Sequence, residues 1–265
     1  MIPLRKVSGL SFHTRQFLLP KRGYDASECE DAIGINAGSR RFAIADGATE
    51  AFFPQNWARR LASNWVKSSA GLLAPGEFRS WVAAEGQTLH ESWSELSLSW
   101  YAEEKARTGS FAAFVGLQLE LEIEPPRWSA IALGDTCLFH LRNGEISQAL
   151  PVTRSEDFTA TPVLVPSDPA VLETTWERVV VASGQVEPDD SFVLLSDAAA
   201  AWYLMLAETK DKARLRFDRL LSEARNSELV KLFDAERDSG RIKNDDIAIV
   251  RIDLHDSHLR RILRW

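Results

Sequence analysis

The chain has 265 residues, of which 45% are hydrophobic and 26% are charged, and its formal net charge is −7. This is the composition of a soluble globular protein, and the acidic excess argues against nucleic acid as the main partner, because phosphate backbones require a basic face. The longest apolar stretch, at 198–207, is too short to cross a bilayer, so no membrane association is expected. Cys29 and Cys137 form neither a metal-binding spacing nor a disulfide framework, which predicts a cytoplasmic protein with two buried thiols.

The first part of the chain predicts a β-hairpin. The sequence alternates from Asp31 to a polar turn at 36–40, and an apolar run then ends at Asp46. Two helices are expected next. The first begins near Pro54 and ends before Gly71 and Pro75, and a second ends in a charged turn before Gly109. Their tryptophans recur at helical spacing, which favours core packing over ligand stacking; the two stripes are Trp57, Leu61 and Trp65, and Leu89, Trp93, Leu96 and Trp100.

The second part predicts mostly antiparallel strands and then helices. Strands are expected at 111–122, 128–133 and 137–141, with a turn at Asn143 and Gly144 leading to a further strand. Residues 151–188 contain several prolines and predict an irregular loop that faces the substrate. Helices are expected at 198–208, 212–225 and 227–238, the last with Ser227 as N-cap, followed by a strand at 247–254. This order predicts one domain over residues 1–265 of class α+β, with two packed antiparallel sheets flanked by helices.

Acidic residues stand at one end of four short apolar runs. Asp46, Asp135 and Asp197 follow their runs, whereas Asp245 and Asp246 precede the last one. If the runs are strands and the last is antiparallel to its neighbours, all of these carboxylates reach the same edge of the protein. Clustered carboxylates raise one another's pKa, and divalent cations relieve that repulsion. Ligands that are all oxygen favour Mg²⁺ or Mn²⁺.

The order of these acidic elements resembles the metal-dependent serine/threonine protein phosphatases of type 2C, the PPM family. That family has an E-D pair, D-G at a strand end, G-S-T-A, G-D-S, S-D-G and a closing D-N. The corresponding segments, which span residues 30–250, are Glu30-Asp31, Asp46-Gly47, Gly109-Ser110-Phe111-Ala112, Gly134-Asp135-Thr136, Ser196-Asp197-Ala198 and Asp245-Asp246. Each motif is weak alone, but their shared order is more specific, and the segment after Asp46 resembles a divergent bacterial branch.

The resemblance implies an α-β-β-α sandwich and a set of metal ligands. Asp46 corresponds to the carboxylate that bridges two metals, and the Gly47 carbonyl to a ligand of the second metal. Glu30 or Asp31 corresponds to a ligand on the same side, partly through water. Two further carboxylates, Asp197 and Asp245, correspond to ligands of the other metal, with Asp246 as the alternative to Asp245. Asp135, together with Asp197, corresponds to the site of a looser third metal.

The implied activity is hydrolysis of phosphoserine or phosphothreonine by water that two or three Mg²⁺ or Mn²⁺ ions activate, with Asp46 and Asp31 as the catalytic carboxylates. The implied substrate is a phosphoprotein of a serine/threonine kinase in bacterial signalling. No histidine is expected in catalysis, because all five lie away from the motifs; these are His13, His90, His140, His255 and His258.

Several departures leave alternatives open. Ala48 stands where the family has a histidine proposed to protonate the leaving group, so water or another residue donates, or leaving groups of low pKa are preferred. Ala26 stands at the usual place of the phosphate-binding arginine; Lys21 and Arg22 are alternatives, or ordinary loop charges. The rival hypotheses are a pseudophosphatase that binds a phosphoprotein or kinase, and a structural protein whose aspartates cap turns.

Overall fold

The computed structural model of the protein describes residues 9–68, 71, 73–94, 100–168 and 173–256. Within them, the strands are β1 (Leu10–Leu19), β2 (Asp31–Asn36), β3 (Arg41–Gly47), β4 (Phe111–Glu120), β5 (Arg127–Leu133), β6 (Cys137–Arg142), β7 (Glu145–Leu150), β8 (Val165–Pro166), β9 (Val180–Gln185), β10 (Ser191–Leu195) and β11 (Ile247–Asp256). The α-helices are α1 (Pro54–Lys67), α2 (Pro75–Ser94), α3 (Trp100–Thr108), α4 (Asp197–Glu208), α5 (Lys212–Ser222) and α6 (Asn226–Asp238). Short 3₁₀ turns lie at Ser155–Asp157 and Glu173–Arg178.

The strands form two antiparallel sheets. One has the order β1-β11-β10-β6-β7, and the other has the order β2-β3-β4-β5-β9, with β8 paired to β4. β11 therefore lies between β1 and β10 and is antiparallel to both. This reversal brings the start of β11 to the same end of its sheet as the end of β10.

An apolar layer joins the two sheets. Phe42 and Leu117 from one sheet share a buried cluster with Phe192 and Val250 from the other. A second cluster holds the inner faces of α1 and α2 against β3 and β4, and a third holds α4, α5 and α6 against the first sheet. The predicted α+β class, an α-β-β-α sandwich, is confirmed because each sheet buries one face against the other and one against helices.

The predicted hairpin is confirmed as β2 and β3, and α1 begins at Pro54 as expected. Trp57, Trp65 and Trp93 are buried as predicted, but Trp100 is 78% exposed, so its assignment to the core is wrong. Trp100 begins a separate helix, α3, and does not continue the stripe of α2. Leu96, also assigned to that stripe, lies outside the described residues.

The predicted strands at 111–122, 128–133 and 137–141 are confirmed as β4, β5 and β6. The turn before β7 places both Asn143 (φ 54°) and Gly144 (φ 76°) in the left-handed region, as a tight hairpin requires. The segment 151–188 contains the expected irregular structure but also the strand β9. Ser227 was predicted as an N-cap; this is wrong, because α6 already begins at Asn226 with Arg225 at the cap position.

Cys29 and Cys137 are free thiols and both are buried, which confirms their predicted burial. Burial is the main cause that raises the pKa of Cys29 to about 12, so its thiol is not poised as a nucleophile. Across the described segments, no helix combines the length and the apolar character of a membrane span.

Candidate metal and phosphate site

The hairpin places two predicted ligands side by side. Asp31, the first residue of β2, is the direct cross-strand partner of Asp46 near the end of β3. Gly47 follows, and its N–H donates to the Glu30 carbonyl at 3.2 Å. A Cβ at Gly47 would lie 2.7 Å from the carbonyl oxygen of Pro54, so the start of α1 can approach this strand end only because the residue is glycine.

The Asp31 side chain is buried without a partner. It is 3% exposed, and neither carboxylate oxygen has a hydrogen-bond partner within the described chain. Burial raises the pKa of Asp31 well above its usual range; the nearby Ser196 hydroxyl opposes this shift, and the charges of Asp246 and Asp197 add to it. A buried carboxylate of this kind is unfavourable unless a cation or a proton satisfies it.

Asp46 lies within the same cluster of carboxylates. Burial raises its pKa well above the usual range, and the charges of Asp31, Asp197 and Asp135 raise it further. These side chains, which come from four different loops or strand ends, therefore repel one another when ionised.

Asp135 and Asp197 enter the cluster from opposite sheets. Asp135 follows β5 through Gly134, whose φ of 108° and contact with Ala113 exclude a side chain there. Burial and then Asp197 raise the pKa of Asp135 to about 7. Asp197 begins α4, and its pKa is raised first by burial and then by Asp245.

The two adjacent aspartates before β11 have different surroundings. Both oxygens of Asp246 accept backbone hydrogen bonds, from Lys21 N at 2.7 Å and from Glu30 N at 2.8 Å, so this side chain supports the segment before β2. Asp245 raises the pKa of Asp197 and of Asp46, whereas Asp246, whose oxygens are already engaged, raises the pKa of Asp31. This difference favours Asp245 over Asp246 as a ligand.

Glu30 lies at the edge of the cluster and already has partners. Its Oε2 accepts hydrogen bonds from Lys21 Nζ at 3.1 Å and from the Thr49 hydroxyl at 2.6 Å. One oxygen of Glu30 therefore holds the loop before β2 and the segment after β3 together. A metal contact from Glu30, direct or through water, stays a prediction.

Neither basic residue considered as a substitute for the arginine is free. Lys21 is paired with Glu30, and Arg22 donates to Asp234 and Asp238 on α6 at 3.1 and 2.6 Å. Lys243 was not singled out from the sequence, although it stands only two residues before Asp245. Its ammonium lies 2.6 Å from Asp245 Oδ2 and opposes the pKa rise of Asp135 and of Asp197.

The four histidines that the structure describes take no part in this cluster. His140 is buried and bonded to Asp190 at 2.9 Å, and His90 is bonded to the Ser167 hydroxyl at 2.9 Å. His13 and His255 stack on each other with ring centroids 4.6 Å apart, and His258 lies outside the described residues. Ala48, where the family has a histidine, donates its N–H to the Phe111 carbonyl at 2.9 Å.

The described residues contain no group of three or more His, Cys, Asp or Glu side chains arranged as a metal-ligand set. The fit to a metal therefore depends on the chemistry of the donors. Asp31 is buried and unpartnered, four carboxylates raise one another's pKa, and all the donors are oxygen. A hard divalent cation such as Mg²⁺ or Mn²⁺ satisfies each of these conditions.

Serine/threonine protein phosphatases are among the solved structures with the same fold. The catalytic domain of the serine/threonine protein phosphatase PstP, in complex with two manganese ions, has a TM-score of 0.58 and 15% identity, over 93% of this chain and 100% of that one. Serine/threonine phosphatase Stp1 from Staphylococcus aureus has a TM-score of 0.58 and 15% identity, over 92% and 95% of the two chains. PppA, a regulatory component of T6SS in Pseudomonas aeruginosa, has a TM-score of 0.53 and 19% identity, over 91% and 96%.

The chain has the fold of the type 2C protein phosphatases. The resemblance predicted from the sequence is thereby confirmed, and the identities of 15–19% show the fold alone. No protein-family model matches the sequence, and no curated protein matches it.

Proposed function

We propose that this chain is a metal-dependent phosphoprotein phosphatase that hydrolyses phosphoserine or phosphothreonine. The observation that carries the proposal is Asp31, whose two buried oxygens have no hydrogen-bond partner and which faces Asp46 across the hairpin. A purely structural aspartate at a strand end would cap a turn, pair with a cationic side chain or accept hydrogen bonds from the backbone. Asp246 is of the last kind, because it accepts from two backbone N–H groups.

Each carboxylate has an assigned position in this proposal. Asp46, the Gly47 carbonyl and Asp31 would hold metal on the hairpin side of the cluster. Asp197 and Asp245 would hold metal on the other side, and Asp135 with Asp197 would hold a third ion. When bound, two or three Mg²⁺ or Mn²⁺ ions would neutralise the substrate phosphate and activate the attacking water. The surrounding residues themselves exclude bulk water from Asp31.

The expected substrate is a protein phosphorylated by a serine/threonine kinase. An acidic site in an acidic chain selects its substrate through the bound cations, so nucleic acid is not an expected partner. We place the reaction in the cytoplasm, since the two free cysteines suit a reducing compartment.

A second candidate is a pseudophosphatase that binds a phosphoprotein or a kinase with little turnover. Ala48 favours it, because alanine has no proton to donate to the leaving group. The ion pairs of Lys21 and Arg22 also favour it, since neither cation is available to hold a phosphate.

The deciding experiment measures hydrolysis of p-nitrophenyl phosphate with Mn²⁺ and with EDTA, beside calorimetric titration of Mn²⁺ into the protein. A phosphatase gives turnover that Mn²⁺ restores after chelation, and a metal-binding pseudophosphatase gives binding without turnover. Turnover that survives thorough chelation would contradict the metal mechanism. Failure of Mn²⁺ to bind would contradict both candidates as metal proteins.

A further inference from the structure

A cleft opens directly beside the carboxylate cluster. It has a volume of about 490 Å³ and lies between residues 155–160 and α4. Asp135 and Asp197 line it, so anything bound at these carboxylates has the cleft as its immediate neighbour. We call this space the side-chain cleft.

The walls of the side-chain cleft are mainly apolar. Its apolar lining includes Phe158 and the α4 residues Ala201, Trp202 and Met205, together with Ile242. Phe158 and Met205 are partly exposed and pack against the buried cluster that holds α4 to its sheet. A further apolar side chain placed here would extend that cluster and leave water.

The side of the cleft formed by residues 155–160 is fixed to α4. The backbone N–H of Ser155 donates to Glu208 Oε1 at 2.8 Å, and the Ser155 hydroxyl bonds the other oxygen of Glu208. This attachment at the far end of α4 holds Phe158 across from Met205, so the cleft is preformed.

The cations on the rim are already paired. Lys243 bonds Asp245 at 2.6 Å, and Arg241 bonds Asp211 at 3.2 Å and Glu236 at 2.5 Å. A charged group that entered the cleft would lose part of its hydration and would have to compete with these ion pairs for a partner, which is unfavourable. An apolar side chain has no charge to desolvate and needs no ionic partner.

We propose that the side-chain cleft receives an apolar side chain, such as leucine, methionine or phenylalanine, that stands beside the phosphorylated residue of the substrate. This inference rests on the proposed function, because it places the phosphate at the carboxylate cluster. Neighbouring Cα atoms in a chain are about 3.8 Å apart, so a residue next to the phosphorylated one reaches a cleft that Asp135 and Asp197 line. Burial of such a side chain is expected to favour the substrate by about tenfold or more.

The test uses fluorescein-labelled phosphothreonine peptides that carry leucine or serine at each flanking position in turn. Binding is measured by anisotropy with the full chain, and kcat/KM is measured for the same peptides with Mn²⁺. Ala201→Phe fills the cleft and Met205→Lys places a charge in it. Ala207→Phe is the matched control, because Ala207 lies on the same helix, is also half-buried and does not line the cleft.

The wild-type protein should prefer leucine at one or more flanking positions by about tenfold, and Ala201→Phe should reduce the preference to about twofold or less. Ala207→Phe should keep it. Circular dichroism checks the fold, and Met205→Lys carries the test if Ala201→Phe does not fold. Absence of a leucine preference, or its persistence in the folded cleft variants, would overturn the inference. If p-nitrophenyl phosphate is not hydrolysed, the proposed function is contradicted. The anisotropy data then decide, independently of turnover, whether the cleft selects leucine.

Discussion

Asp31 and Asp46 occupy directly opposite positions of the β2-β3 hairpin, and burial raises the pKa of both carboxyl groups well above the usual range. Opposite residues of an antiparallel pair have Cα atoms about 4.5 to 5.5 Å apart, so two ionised groups there repel strongly. The fold therefore accepts a local instability that a bound cation would remove.

Replacement of Asp46 by Asn should abolish hydrolysis and stabilise the metal-free protein. The amide removes one negative charge from a cluster in which Asp31 and Asp197 raise the pKa of Asp46, so Tm in EDTA should rise by a few degrees. Differential scanning calorimetry and p-nitrophenyl phosphate turnover measure the two effects. Asp25→Asn, at an exposed position, is the control. Turnover above about a tenth of the wild-type value, a deficit of only ~1.4 kcal/mol, would show that Asp46 is not the bridge.

The two aspartates before β11 should separate metal binding from structural support. Asp245→Ala should remove the rise in Tm that Mn²⁺ causes and change the stability of the metal-free protein little. Asp246→Ala should keep that rise but lower stability by about 2 kcal/mol, because the N–H groups of Lys21 and Glu30 lose their buried acceptor. Thermal shift with and without Mn²⁺ gives both quantities, and the reverse pattern would move the ligand to Asp246.

Lys243→Met should tighten Mn²⁺ binding. The ammonium occupies Asp245 Oδ2 at 2.6 Å, and its side chain is 72% exposed, so the pair contributes at most about 1 kcal/mol and its loss should lower Kd by up to about fivefold. Isothermal titration calorimetry measures the change, with Lys231→Met on the exposed face of α6 as control. An unchanged or weaker affinity would mean that Lys243 does not compete with the metal.

Ala48 should make hydrolysis depend steeply on the leaving group. Without a proton donor there, p-nitrophenyl phosphate, whose phenolate leaves unaided, should be hydrolysed far better than a phosphothreonine peptide. Ala48→His should raise peptide turnover more than aryl phosphate turnover. The measurement is kcat for a series of aryl phosphates of increasing phenol pKa in both proteins. Equal slopes would show that another residue already acts as the acid.

The hairpin and the buried strands could be predicted because their signals are local. In β2 and β3, alternation and a polar turn fix the pairing that sets Asp31 against Asp46. In β6 and β7, Asn143 and Gly144 supply the two positive φ angles that the turn needs. These residues specify their conformation without information from distant parts of the chain.

Elements defined by tertiary pairing were not predicted. β1 contains His13, Arg15 and Gln16, which weaken its apolar alternation, and its strand character comes from pairing with β11 along its whole length. β9 includes Gly184, a poor strand former that is required because a Cβ would lie 2.7 Å from Trp128 Nε1. Trp100 continues the helical spacing of the α2 residues in sequence, but it begins another helix. The spacing of apolar residues does not reveal this break.

For the site, the order of acidic motifs predicted which carboxylates gather, but not what surrounds them. Asp135 and Asp197 come from different sheets, and only their common position at strand ends indicated that they meet. The choice between Asp245 and Asp246 depended on hydrogen bonds to a loop more than 200 residues earlier in sequence. The role of Lys243 as a counter-charge likewise depends on its distance from Asp245. The sequence could not show this, because the residues around Lys243 resemble those around any exposed lysine. The single domain over 1–265 stays a prediction.

β11 inserts between β1 and β10, and of all the described strands it is the last that a ribosome makes. A nascent chain that has reached only α6 lacks Asp245 and leaves the edges of two strands without hydrogen-bond partners. When β11 then pairs with β1 and β10, it closes the sheet and completes the carboxylate cluster at the same time. Under the proposed function, chains that have not yet added β11 should be unable to remove phosphate from other proteins, because the strand that completes this sheet also completes the site.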